Sequence, residues 1–177
     1  GIGVDGGDSG HVILDLPEDT LAAFSLEHGD QYVARAYELL KQEFPEDFAE
    51  VEAQASEAGF ALPGDIQTLV GSSLVLSVGP GILGLENTTD NLDIWEIAYR
   101  TETDTDAAEA LLRRVFVLTG DAQTEQLLVR RSDDGVLTLG VSQPYVDAVA
   151  DGGNLGGNST FQAAVPNADD AQSVIYI

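Results

Sequence analysis

The chain contains no cysteine, no methionine and a single lysine, Lys41, and only seven basic residues in all. Each absence excludes something. Without cysteine there is no disulfide, no thiolate nucleophile and no thiolate metal site. An exported protein can equally lack cysteine, so this does not set the compartment. No apolar run reaches the ~18 residues that a membrane-spanning helix needs. With so few basic residues, no patch exists to meet a phosphate backbone, so nucleic acid is not expected as a partner. An anionic membrane surface would repel the chain. The sequence opens GIGVDGGDSG, with no initiator methionine and no basic leader, so it reads as a processed or excised piece of a longer protein.

What is present is acid. Of 177 residues, 31 are Asp or Glu, which sets the net charge at -24. Such a surface stays soluble and gathers cations. Three readings of the acidity stand side by side: halophilic adaptation, export from an arginine-preferring genome, and a cation-buffering surface. Hydrophobic residues still make up 44% of the chain, which is enough for a packed core. A chain of this length buries roughly 70% of its unfolded surface and needs no covalent staples.

Residues 1–10 are rich in Gly and Asp and read as a linker or loop. Residues 11–177 read as one α+β domain. His11 to Leu16 and Thr20 to Leu26 are strand candidates. Tyr32, Val33, Ala36, Tyr37, Leu40 and Phe44 recur at helical spacing. Pro45 suits the first turn of a new helix, followed by Glu46 and Asp47 at the positive end of its dipole. Gly59 suits the end of that helix. Asp65 to Val70 is one more turn, Ser73 to Val78 a buried strand, and Gly79 to Asn91 a loop. In Asp93 to Thr101 the alternation places Trp95, Ile97 and Tyr99 on one face, which is expected to be buried with Leu137 and Leu139.

The next helix is expected after Thr103 to Asp106, with Ala108, Leu111, Leu112, Val115 and Phe116 as its stripe and Gly120 at its end. Asp134-Gly135 between two apolar runs signals a hairpin. Ser142 and Pro144 open a short helix that ends at Gly152. Ser159 is expected to cap another, and Ser173 to Ile177 is a last strand. The order from Thr20 to Arg131 is β-α-β-β-α-β. It implies a mainly antiparallel sheet, helices on one face, an extra hairpin strand and a split βαβ arrangement.

A short internal match joins Leu16-Pro17-Glu18-Asp19-Thr20 to Val165-Pro166-Asn167-Ala168-Asp169-Asp170, at an offset of 149 residues. Each leads from a proline and acidic turn residues into an apolar strand. Residues 166–177 therefore read either as the close of this domain or as the opening strand of a following unit. The pieces LPEDTLAAFSL and VLTLGVSQPYVDAVADGGNLGGNSTFQAAVPNADDAQSVIYI resemble an uncharacterised family of membrane-anchored, extracytoplasmic bacterial proteins built from repeated units that open with a Leu-Pro-acidic-Asp-Thr strand. Leu155, Phe161, Ala164, Pro166 and Tyr176 fill that family's structural positions. The resemblance implies an extracytoplasmic location and a membrane anchor outside this chain. It implies no activity, so no functional residue is carried over.

No catalytic, cofactor or metal residue is assigned. His11 and His28 lack partners at the spacing of a metal site or a triad and read as surface histidines. No Gly-x-Ser-x-Gly elbow exists. The glycine-rich stretches at Gly81 to Gly84 and Gly152 to Gly157 lack the basic residue a phosphate would need, so they read as loops. Asp5 to Asp8 and Asp90 to Asp93 offer oxygen atoms but not the spacing of a calcium loop. The function expected is a non-catalytic structural or partner-binding module, with a protein as partner. The alternative is a protein binding a small ligand or lipid in an apolar gap between sheet and helices.

Overall fold

In the computed structural model, residues 12–84, 94–119 and 127–177 are described. The first strand, β1 (Ala22–Glu27), feeds through His28 into α1 (Gly29–Glu43), α2 (Pro45–Glu57) and α3 (Gly64–Val70). Pro45 opens α2 as its geometry demands, and Gly59, with φ +83°, lies just past its end. The chain returns as β2 (Ser73–Val78) and β3 (Ile97–Glu102), then crosses in α4 (Thr105–Thr119) to the hairpin β4 (Val129–Asp133) and β5 (Val136–Gly140). Asp134 and Gly135 link β4 to β5 with positive φ at both, as a two-residue primed turn requires. The last elements are α5 (Gln143–Asp151), α6 (Ser159–Ala164) and β6 (Ser173–Tyr176).

The six strands form one antiparallel sheet in the order β4-β5-β3-β2-β1-β6. The α+β class, the antiparallel pairing, the βαββαβ order and the extra hairpin strand are as the sequence implies. The pairing is sequential, however, with β1, β2 and β3 as neighbours, so no strand enters a split βαβ unit. Helices also cover both faces instead of one. The reason lies in the strands, which carry apolar groups on both sides. In β2, Val75 faces one way, with Leu74, Leu76 and Val78 facing the other. Each face needs its own cover.

The first face is floored by small residues, Ala23, Ser25, Ser73, Ser77 and Ala98, around Val75. Their size lets α5 and the loop after it approach closely. Tyr145, Val149, Leu155 and Phe161 close this core together with Ile13 and Leu16. On the opposite face Leu137 and Leu139 meet Ala108, Leu112 and Tyr99 in a second, smaller core under α4. Leu137 and Leu139 are buried as expected, but Trp95 is 37% and Ile97 41% exposed. The expected face packs only along its later part, where Tyr99 meets Leu137 and Leu139 under α4; Ile97 opens the strand beyond that cover, Trp95 precedes it, and Ala98 on the other side points into the larger core.

Two other expectations are corrected. His11 lies outside the described residues, as does the expected linker, and residues 12–16 form turns, not a strand. Their backbone groups are taken by the loop after α5. Gly153 N–H donates to the Asp15 carbonyl (2.6 Å), Leu155 N–H to that of Leu16 (3.0 Å) and Gly156 N–H to that of Leu14 (3.0 Å). A Cβ on Gly153 would stand 2.5 Å from the Leu16 carbonyl oxygen, so the close approach requires glycine there. The cap of α6 is Asn158 and not Ser159, its side chain accepting from Thr160 N–H and Phe161 N–H. Ser142 caps α5 as expected. β6 pairs with β1, Val174 opposite Ser25, at the edge of the sheet.

Candidate functional site

The interior of the larger core holds one cluster of chemistry-bearing groups, the hydroxyls of Tyr145, Ser77 and Thr20. All three residues are at least nine-tenths buried, and none of their oxygens completes a hydrogen bond of full geometry. Burial raises the Tyr145 pKa, and the neighbouring Ser77 and Thr20 hydroxyls partly offset that push. The carboxylates of Glu96 and Asp19 add to the upward push on that phenol. The cluster is a polar seam in the packing.

Tyr99, on the other face, donates to the Leu69 carbonyl of α3. Burial pushes its pKa up to about 12, with the Thr101 hydroxyl pulling slightly the other way. The unfolded chain ionises this phenol near pH 10, whereas the folded one keeps its proton until about 12. Between those values the unfolded state binds fewer protons, so stability is full below about pH 10 and falls as pH rises. Urea unfolding from pH 9 to 11.5 is expected to show a loss of up to about 2 kcal/mol from this residue. The slope should be shallower in Tyr99→Phe. Parallel curves for the two proteins would show that the phenol titrates alike in both states.

Arg100, next along β3, faces α5, and its Nε and Nη1 have no hydrogen-bond partner. Burial lowers its pKa, against the pull of Asp15 and Glu102. It lines a cavity of about 160 Å3 with Arg131, Asp133, Asp134, Val136, Thr138 and Ala150. Arg131 is already engaged by Asp147 and Asp151. Carboxylates outnumber guanidinium groups here, so an added anion would be repelled.

Two further spaces bear on ligand binding. A cavity of about 240 Å3 lies between α4 and the β4–β5 hairpin, lined by Leu112, Phe116, Leu128 and Leu139 with Glu109, Arg113 and Arg130 at its edge. That falls just short of the ~300 Å3 at which pockets for drug-sized ligands begin. A wider groove of about 650 Å3 runs past Asp30, Gln67, Thr68, Glu102, Asp104 and Asp134 and is mainly polar. Among the described residues no group of three or more His, Asp or Glu side chains could hold a metal ion.

Another surface belongs to α1 and α2. α1 rests its first turns on α3: Asp30 N–H donates to the Gly71 carbonyl (2.8 Å), and Gln67 Nε2 to the Asp30 carbonyl (3.1 Å). Gly29 makes this contact possible, since a Cβ there would stand 2.1 Å from Val70 Cγ1. Beyond that contact α1 pairs with α2, and α2 has no buried residue. The two helices are clamped by Tyr37 and Phe48, whose rings meet edge to face at 4.9 Å, and by Glu52. Glu52 accepts from the Tyr37 hydroxyl and pairs with Lys41 Nζ at 2.9 Å. Those two hydrogen bonds hold the Glu52 carboxyl below its usual range, and raise both the Tyr37 phenol and the Lys41 ammonium.

The clamp uses one side of each helix. What it leaves outside is apolar as well as acidic: Leu39 is 60% exposed, Phe44 55%, Val51 48% and Leu40 45%. Helices of this length are marginal in water without an apolar face to bury.

The residues singled out in the sequence do not converge. His28 is exposed and serves as the left-handed residue (φ 55°) that turns β1 into α1. Gly81 to Gly84 lie in a short 3-10 helix, and Gly152 to Gly157 form the loop that packs on Leu14 to Pro17. Asp5 to Asp8 and Asp90 to Asp93 lie outside the described residues. The hairpin surface went unnoticed in the sequence because Leu40 and Phe44 fall on the apolar stripe expected to be buried, while Leu39 lies off it. No protein-family model, no curated protein and no solved structure matches the chain.

Proposed function

We propose that this domain is a non-catalytic, partner-binding module of an extracytoplasmic protein, and that the α1–α2 hairpin is its contact surface. The observation carrying this reading is the exposure of Leu39, Leu40, Phe44 and Val51 on two paired helices, the second of which buries no residue. Exposed apolar side chains gathered on one two-helix unit are the kind of surface that protein contacts use. The extracytoplasmic setting, with an anchor outside this chain, rests on the resemblance of the LPEDTLAAFSL and SVIYI segments described above.

A photo-crosslinking residue at Leu39 in the full-length protein, expressed in its own host, tests the reading. A discrete crosslinked product is expected from position 39 and not from the exposed control position Glu18. Identical products from both positions, or none from either, would overturn it. The alternative, a small apolar ligand held between sheet and helices, has the cavity beside Leu112, Phe116 and Leu139 in its favour. At about 240 Å3 that cavity admits only a ligand of modest size.

A further inference from the structure

We infer that the α1–α2 hairpin takes a cationic amphipathic helix from a protein partner, an inference that rests on the hairpin being the contact surface. The argument is one of complementarity. Between Gly29 and Glu57 there are eight carboxylates, Asp30, Glu38, Glu43, Glu46, Asp47, Glu50, Glu52 and Glu57, against Arg35 and Lys41. Lys41 is spent within the hairpin on Glu52 and on the Tyr37 ring, 5.6 Å away. The remaining carboxylates lie on the same two helices as Leu39, Leu40, Phe44 and Val51, four apolar residues that are exposed.

A partner must therefore bring an apolar stripe to cover the leucines and phenylalanine, and positive charge on either side of it. A helix with hydrophobic residues at i, i+3, i+4 and i+7 and with Lys or Arg beside them meets both demands. A second copy of this chain meets the first demand only, because each copy brings a charge of -24. An anionic bilayer fails on charge in the same way. The apolar contact holds the complex together, and the charges steer the encounter and choose the partner.

The test uses four probes against the whole domain, read by isothermal titration calorimetry. They are an amphipathic helix of about 20 residues built from Leu and Lys, its Gln-for-Lys and Glu-for-Lys counterparts, and phosphatidylcholine vesicles. Each is measured with the wild-type domain, with a Leu39→Ser/Phe44→Ser/Val51→Ser variant of unchanged charge, and with Leu83→Ser as a surface control. Circular dichroism and melting confirm that each variant is folded.

The expected result is binding of the Lys helix that weakens by about tenfold or more in the triple variant, and not in the control. The Gln helix should bind at least about tenfold more weakly than the Lys helix, and the Glu helix not at all. Equal binding of the Lys helix to wild type and triple variant would mean attraction by charge alone and would overturn the inference. Variant-sensitive binding of the Gln helix as tightly as the Lys helix would overturn the cationic partner and leave the contact surface standing. Variant-sensitive binding of vesicles in place of either helix would do the same in favour of lipid. No variant-sensitive binding of any probe would remove both.

Discussion

Phe161→Ala is expected to cost the domain about 3–5 kcal/mol, the range for deleting a fully buried aromatic ring. Phe161 is 1% exposed, is among the largest fully buried side chains, and sits where three parts of the chain meet. Its own helix, α6, is six residues long and could not persist without it. Beneath it lie Leu155 and the turn residues Ile13 and Leu16. Against its edge stands Tyr176 of β6, with ring centroids 5.1 Å apart at 72°. Removing the ring therefore opens a cavity and also deprives β6 of the contact that seats it at the sheet edge. For a domain of this length the loss corresponds to a fall of on the order of 10 °C in melting temperature. Phe161→Leu keeps most of the volume and should cost under about 1.5 kcal/mol. Chemical denaturation of the two variants beside wild type checks both numbers. A loss below about 1 kcal/mol for Phe161→Ala would mean that α6 and β6 are held by something other than this core.

Which parts of this fold could be read in the sequence follows from the range of the interactions that set them. β2 was legible to the residue, because Ser73 to Val78 is a short apolar run between glycine-bearing turns. The β4–β5 turn was legible because positive φ at two successive positions calls for Asp-Gly. The starts of α2 and α5 were legible from Pro45 and from Ser142 with Pro144. These are local rules. Residues 12–16 were misread because their apolar density suits a strand, while the partners that hold them as turns lie about 140 residues away in the 153–156 loop. In β3 the alternation placed Tyr99 with Leu137 and Leu139 but not the extent of the cover, because where α4 stops over the sheet is set by distant residues and leaves Ile97 exposed. The proposed contact surface was hidden for a related reason. A periodic apolar stripe shows that a helix has something to bury, not whether this chain supplies the cover.

Raising sodium chloride from about 20 mM to 0.5 M should raise the melting temperature by on the order of 5–10 °C, since the Debye length shrinks from roughly 20 Å to about 4 Å. Two opposing effects decide the sign. Salt weakens ion pairs, and among them are Lys41–Glu52, Arg114–Asp65, Arg130–Glu109 and Arg131 with Asp147 and Asp151. All involve partly or well exposed side chains, and such pairs contribute about 0–1 kcal/mol each. Against them stands the mutual repulsion of 31 carboxylates with only seven basic residues to offset it. Folding draws those carboxylates together, so repulsion bears harder on the folded chain than on the expanded one. The acidic hairpin should gain most, having eight carboxylates on two helices with little packing to oppose them. The gain should level off near 0.5 M, where screening is nearly complete; a rise continuing into molar salt would point to halophilic adaptation as the source of the acidity. It should also shrink when the same series is run near pH 4.1, the isoelectric point, where the net charge has already been removed by protons. A melting temperature that stays level or falls between low and moderate salt at neutral pH would show that the ion pairs outweigh the repulsion.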